Sequence, residues 1–435
     1  MEEILDAALK VADAAEVFWV SSRYTPVSFE ANRLKELQTK ESQGVGLRII
    51  KDGRIGFSST NRVEDVDGIV QRALEVAPYG VEAAFHLPSP GPYPEVDIYD
   101  PEVEKTSVEE MVRLGQALVD GVRTHAKDVL CDAGVSQSVV SVRVLNSEGL
   151  DLSYQKSVFS MGVSGTLIRG TDMLFVGDWE SFCRPLSDPT GIIERVNRQL
   201  DQARDITEAP TGDLPVIFTP DAVAGVLLSP LLVAFNGKNV VQGSSPLVDR
   251  LGELICDEGF SLYDDGTAAY RPGSRPWDDE GVPTRRIPLI ERGVARNFVY
   301  DLKTAAQAEA QTTGSASRPG GSVPSPSTSV LFIEEGHTSF DEMVADIDTG
   351  LVVERLLGAG QTNLLGGDFN ANVLLGYKVE HGKIAGRVKN SMITGNVYQV
   401  LSNLAAIGSE ARWRGGSLRT PALYCKAVSV ARSGG

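Results

Sequence analysis

The amino-acid sequence predicts an α+β protein: an N-terminal antiparallel sheet with helices over 1–210, then a mostly β C-terminal domain, 211–435, around a buried helix. Three observations carry this. Asp52-Gly53 stands between two β-branched runs, 44–50 and 55–59, which is the strongest short-range hairpin signal. Runs suited to strands recur to about residue 180, punctuated by glycine turns and helical periods. The stretch 222–235 is apolar on all faces of a helix, interrupted only by Gly225, Ser229 and Pro230, so it belongs inside a large protein. At 435 residues the chain is long for one core, and EAPTGDLP at 208–215, polar and rich in turn formers, marks the boundary.

The chain opens with an acidic amphipathic helix, MEEILDAALKVADAA. EVFWVSSR and TPVSFEAN then read as two strands. After the 44–59 hairpin, a helix over 64–77 places Val66, Ile69, Val70, Ala73, Leu74 and Ala77 on one face. Five prolines in 86–105 predict a long surface excursion. A helix resumes at Thr106 or Ser107, each with a Glu three residues on as in a capping box, and runs to about His125. Strands are expected at 128–137, 139–146, 150–168 and 171–180, with a turn at 146–149, and then a helix over 191–206. Both halves run strands, glycine turn, strands, helix, so an internal duplication is expected.

The second domain opens with a strand at 216–218 and the apolar helix. Thr219 suits its N-cap, Pro220 its first turn and Asp221 its positive end, while Asn236-Gly237 suits its stop. Pro230 predicts a kink and a missing backbone bond near Ser229. Short strands and loops follow, among them an acidic turn over 273–283 ahead of a strand at 287–290. The low-complexity stretch ASRPGGSVPSPSTS, 316–329, is expected to be a mobile loop or, if packed against a cleft, an ordered one, and Ser339 with Glu342 opens a short helix.

Composition narrows the function. The net charge is −17 and no Lys/Arg cluster forms a basic face, which argues against direct nucleic-acid binding. Four cysteines, Cys131, Cys183, Cys256 and Cys425, lie far apart without C-x-x-C spacing, as expected of small buried thiols in a reducing compartment. The N-terminus lacks the basic and apolar regions of a signal peptide and no run reaches a membrane span, so a cytoplasmic protein with no membrane contact is expected.

Few residues offer chemistry. Asp278, Asp279 and Glu280 are clustered carboxylates that could attract a divalent cation, yet without EF-hand alternation a solvated hairpin turn is the simpler reading. Glu334-x-x-His337 has di-metal helix spacing but falls between a strand and a helix, where that spacing loses its meaning. His86, His125 and His381 read as surface residues. Gly162-Val163-Ser164-Gly165 is one residue short of a nucleophile elbow, and 314–321 lacks the Lys-Ser/Thr of a P-loop.

Short segments recur downstream in a telling order. They are Gly243-Ser244-Ser245, Leu251-Gly252-Glu253, Asp278-Asp279-Glu280-Gly281 with Pro288-Leu289-Ile290-Glu291-Arg292-Gly293-Val294, and Tyr300-Asp301-Leu302-Lys303-Thr304-Ala305. Thr313-Gly314-Ser315, Gly366-Gly367-Asp368-Phe369, Gly376-Tyr377 and Gly382-Lys383-Ile384 complete the series. In that order the chain resembles the TldD/PmbA (TldD/TldE) family of bacterial and archaeal metallopeptidases over nearly its whole length. The resemblance implies that the zinc-bearing TldD branch carries His-Glu-x-x-x-His upstream of the Gly-[Ser/Thr]-Ser segment. Those two His and one Glu fall here on Leu228, Val233 and Ser229, none of which ligates zinc as His does or serves as general base. The branch's C-terminal Cys ligand is missing too, since 408–417 contains no cysteine.

The resemblance therefore implies a PmbA/TldE-like component without catalytic or metal-binding residues and without a cofactor. It pairs with a TldD-like zinc-bearing paralogue, with itself, or with both, and takes part in proteolysis of unfolded peptides. Asp278, Asp279, Glu280 and Asp368 are the candidates to line a substrate cleft. Two alternatives stand beside this: a homodimeric peptide-binding or scaffold protein, and a hydrolase using Asp278, Asp279 or His337. The family's label as modulator of DNA gyrase gains no support as direct DNA binding.

Overall fold

The computed structural model describes residues 1–359 and 363–432. Its first part is one antiparallel sheet of β1 (Ala14–Glu30), β2 (Arg33–Leu37), β3 (Lys40–Lys51), β4 (Arg54–Thr60), β5 (Leu130–Asn146), β6 (Asp151–Arg169) and β7 (Asp172–Phe182). Strand order is β4-β3-β1-β5-β6-β7, with β2 beside β1. The β3–β4 turn is the expected one, Asp52 and Gly53 both at positive φ (50° and 73°). Two strand pairs expected from sequence are instead single long strands, β1 and β5. Pro26 lies within β1, but there the β3 pairing has ended at Tyr24 and the β2 pairing begins only at Val27, so its missing N–H falls in a gap between partners.

Helices complete a repeated pattern. Helix α1 (Glu2–Leu9) precedes β1, β3 and β4, and α2 (Val66–Val76) follows them; after the proline-rich excursion and the short α3 (Pro101–Lys105), α4 (Val108–His125) precedes β5, β6 and β7, and α5 (Thr190–Gln202) follows. The two halves meet through the β1–β5 pairing at the centre of the sheet. Ser107 caps α4, its Oγ accepting from the Glu110 N–H at 3.1 Å.

In the C-terminal part a closed ring of five strands joins β9 (Gly212–Phe218), β16 (Thr349–Leu357), β17 (Asp368–Glu380), β19 (Ser391–Asn396) and β23 (Leu423–Arg432). The small β8 (Ile206–Thr207), β18 (Lys383–Val388) and β20 (Leu404–Ile407) extend it. A second sheet holds β10 (Leu262–Asp265), β11 (Arg286–Glu291), β12 (Val294–Ala295), β15 (Leu331–Ile333), β21 (Arg412–Arg414) and β22 (Leu418–Thr420). Alternation along β9 and β16 sends Val216, Phe218, Leu351 and Val353 into a core shared with the apolar helix, and Ile217 and Val352 into another shared with α4 and α5. Helices α4 and α5 thus join the N-terminal sheet to the ring of strands through one continuous apolar core.

The apolar helix, α6, spans 220–235. It begins α-helical at Pro220–Ala222, forms a π turn at Val223–Leu227 and returns to α at Leu228–Phe235. The irregularity expected at Ser229 therefore sits upstream: Pro230 has no N–H for the Val226 carbonyl, and the wide turn takes up the mismatch. Thr219 occupies the N-cap position without making a cap bond; its hydroxyl is buried and unpartnered. Asn236 ends the helix as expected and caps the next, α7 (Gly237–Val241), accepting from the Lys238 N–H at 3.0 Å. The helix is not enclosed on all sides. Gly225 and Ser229 are exposed, one helical turn apart, beside half-buried Leu232 and Val233.

Of the two readings of 316–329, the segment is ordered by packing and not a mobile loop. Its ends pair as β13 (Ala316–Ser317) and β14 (Ser325–Pro326), Arg318 is fully buried, and Gly320 and Gly321 lie against Gly44 and Gly46 of β3. A Cβ at Gly44 would stand 2.6 Å from the Gly320 carbonyl oxygen, so the contact needs glycine. The remaining helices are α8 (Leu302–Gln307), α9 (Phe340–Ala345), opened by the Ser339–Glu342 capping box, and α10 (Val397–Ser402). Among the described residues no helix is long and apolar enough to cross a membrane.

Candidate functional site

The three positions where the resemblance puts zinc ligands lie on α6 and differ in exposure. Leu228 is buried, Ser229 is exposed and Val233 is half-buried. A carbon side chain, a hydroxyl and another carbon side chain do not fit zinc, which takes imidazole, thiolate or carboxylate. Among the described residues no group of three or more His, Cys, Asp or Glu could hold a metal ion.

The acidic turn is not solvated. Asp278 and Glu280 are fully buried and Asp279 is 9% exposed. Glu280 receives one Arg48 nitrogen on Oε1 and the Leu302 N–H on Oε2 at 2.7 Å. Arg48 also donates to Glu16 at 2.9 Å, and the other Glu16 oxygen accepts from Arg318. Asp278 accepts N–H groups from Glu280 (2.9 Å), Val282 (3.0 Å) and Ala316 (2.8 Å). Asp279 holds the Arg275 guanidinium at 3.0 Å and the Arg318 N–H at 2.7 Å. Every carboxylate oxygen of the turn therefore has a nitrogen donor, which leaves no set of oxygens for a cation. Burial pushes the Asp278 carboxyl well above the usual carboxylate range, with Glu280 adding to it. This network joins β1 and β3 of the N-terminal sheet to the C-terminal part.

The other candidates are dispersed. Asp368 is exposed at the start of β17, accepting from the Asn396 amide at 2.9 Å. Glu334 pairs with Arg286 at 3.3 Å while His337 is exposed, so the two form no metal pair. His125 and His381 contact Asp201 and Asp348 at 2.9 and 2.7 Å, pairings the sequence does not reveal, and His86 is exposed. All four cysteines are buried free thiols, as expected.

Two features have no sequence signal. Glu354 sits where β16 slips register against β17, between Val353 and Arg355; its Oε2 is buried without a partner, and burial, with Asp221 nearby, pushes its carboxyl up to about 7. Beyond the end of α6, two adjoining cavities of 640 and 310 Å³ flank Asp301 and Lys303. Both are assembled from distant segments, so local pattern cannot show them.

Three sequence models of one family match the chain: PmbA/TldA metallopeptidase domain 1 over 15–77, the central domain over 101–203 and the C-terminal domain over 211–432. The structure is similar to that of TldE from Thermococcus kodakarensis, with a TM-score of 0.90 and 28% identity across 99% of each chain. Metalloprotease PmbA of Escherichia coli is 25% identical, over 95% of this chain and 92% of its own. A metalloprotease TldD homolog of Haemophilus influenzae is 27% identical over 46% of this chain and 42% of its own.

Proposed function

The chain belongs to the PmbA/TldD family of metallopeptidases, and on that premise we propose that it is a zinc-free subunit of a cytoplasmic two-chain peptidase. Its partner is a TldD-like paralogue that supplies the metal and the general base, and unfolded peptides are the substrate. The observation that carries this reading is the face of α6: Leu228, Ser229 and Val233 stand where ligands would, and the row of Gly225 and Ser229 is open to a neighbour. An all-apolar helix with an uncovered row suits a surface completed by a second chain. The independent-hydrolase reading loses its residues, since Asp278 and Asp279 are engaged on every oxygen and His337 stands apart from them.

Co-expression with a zinc-bearing paralogue tests the proposal. Light scattering should show one complex containing both chains, which cleaves an unstructured peptide. This chain alone should hold far less than one zinc after dialysis and cleave nothing. About one zinc per chain, or cleavage by the chain alone, would overturn it. A stable homodimer that ignores the paralogue would instead favour the peptide-binding scaffold.

A further inference from the structure

The two cavities beside Asp301 have a composition of their own. The smaller, 310 Å³, lies between the N-terminal part and α8, with Phe57 and Val81 on its apolar wall and Arg48 at its floor. The larger, 640 Å³, continues along α7 and α8 past Lys238 and Gln242. Asp301, Lys303, Val323 and Pro324 line both, so the two are one groove. Both volumes fall in the range of about 300–1,000 Å³ usual for ligand sites.

Three observations point to what fills it. Large apolar side chains crowd the rim in the open: Tyr79 is 90% exposed, Val81 51% and Val323 49%. Isolated exposed apolar residues are ordinary, but a cluster around a concavity marks a binding surface. Lys238 and Lys303 turn the local charge the other way in a chain of net charge −17; among the described residues neither makes a salt bridge, and Lys303 is near enough to offset part of the rise that burial gives the Asp301 carboxyl. Finally, Asp301 is 1% exposed; its Oδ1 is taken by the Thr304 N–H and hydroxyl, both at 2.7 Å, while its Oδ2 is buried without a donor. A buried acceptor left unpaired is unfavourable, and an incoming N–H would supply the missing donor.

We propose that this groove binds an extended acidic peptide. A large apolar side chain enters the smaller cavity against Phe57 and Val81, a backbone N–H meets Asp301 Oδ2, and a carboxylate further along the peptide lies between Lys303 and Lys238. The choice of a peptide rests on the reading of the chain as part of a peptidase pair, while the apolar anchor and the acidic requirement come from the groove itself. The groove starts next to the end of α6, where the Asn236 amide donates to the Pro326 carbonyl at 2.9 Å, so a peptide held there would lie beside the face completed by the partner.

The test is fluorescence anisotropy on the full chain alone, with a dye-labelled unstructured dodecapeptide containing one Phe and, after it, one Asp. Replacing that Asp by Asn or that Phe by Ala in the peptide should weaken binding at least tenfold, and raising the salt should weaken the Asp peptide selectively. Lys303→Glu, at a half-buried position, and Val81→Asp, at an exposed one, should each weaken it at least tenfold with unchanged melting temperature, while Lys35→Glu on β2 should not. Absence of saturation by 1 mM peptide, or equal binding by both groove variants, would overturn the proposal. So would self-association that these variants abolish and peptide does not compete, since that would assign the face to a second copy. The paralogue is absent throughout, so peptide binding alongside failed pairing retains the groove and removes the two-chain reading, and the converse result does the reverse.

Discussion

Helix α6 and the turn at 278–281 set two solutions to burial side by side. The helix carries no charge beyond Asp221 in its first turn and leaves Gly225 and Ser229 open. The turn carries three carboxylates and leaves almost nothing open. What separates them is the supply of partners. Asp278, Asp279 and Glu280 each meet backbone N–H groups or guanidinium nitrogens on every oxygen, so charge is tolerated where apolar contact would be expected. The helix has apolar neighbours on most sides and none on one, and what it leaves in water there is Gly225 and Ser229, two of the three residues that interrupt its apolar run. Charge is buried where its partners are complete, and the helix opens where its side chains are small.

The comparison breaks most sharply at Arg48. Arg48→Met removes the guanidinium between Glu16 and Glu280 and leaves two carboxylates without their shared counter-charge, and the expected loss is about 3–5 kcal/mol, read by urea denaturation. A variant as stable as the parent would mean the network contributes nothing.

Installing ligands on the helix tests the other side. Leu228→His with Ser229→Glu and Val233→His should cost about 2–4 kcal/mol, nearly all from the His at buried position 228, because Ser229 is exposed and its Glu remains solvated. No peptide cleavage should appear, since the residues that orient zinc ligands are not in place. Zinc-dependent cleavage by the isolated triple variant would show that the helix already faces a competent site.

Glu354 lies between the two extremes, a carboxyl with one oxygen unpaired. Its folded value is raised, to about 7, so its contribution is full below the unfolded value near 4 and is lost as the pH climbs to about 7. Glu354→Gln should therefore raise the melting temperature at pH 8, by the equivalent of about 1–3 kcal/mol, and leave it unchanged at pH 4. A gain equal at both pH values would contradict the assignment.

The smallest effect sharpens the contrast. A Cβ at Gly225 meets nothing within 4 Å, so Gly225→Ala should stabilise the isolated chain by about 0.5–1 kcal/mol through helix propensity. Loss of stability would mean that the π turn requires glycine.

Local signals proved readable and distant ones did not. The Asp52-Gly53 turn, the Ser107 and Ser339 caps and the all-apolar run of α6 depend on residues within a few positions, and the structure has each. The break read between EVFWVSSR and TPVSFEAN is absent because β1 runs on through Pro26, whose tolerance depends on where β3 ends and β2 begins. The acidic turn misled for a stronger reason: Asp279 has Arg275 four residues away, but Arg48, which pairs with Glu280, is 232 residues off, and Arg318, whose N–H meets Asp279, sends its side chain to a Glu16 302 residues away. Nothing local to 278–280 announces either. The candidate site was legible only as an absence, Leu228, Ser229 and Val233, because a missing ligand is a local fact while a groove is assembled from five separate segments.

Those sequence separations have a consequence for how the chain is made. Loops of such length close slowly, since their entropy must be met before the contact rewards it. On a ribosome, Glu16 and Arg48 emerge more than two hundred residues before Glu280, and Arg318 later still. Until then Gly44 and Gly46 have no segment to cover them, and Arg48 has only Glu16 of its two carboxylate partners. A product terminated before Arg318 would lack that cover, so the contact distinguishes chains that extend past Gly321 from those that stop short of it.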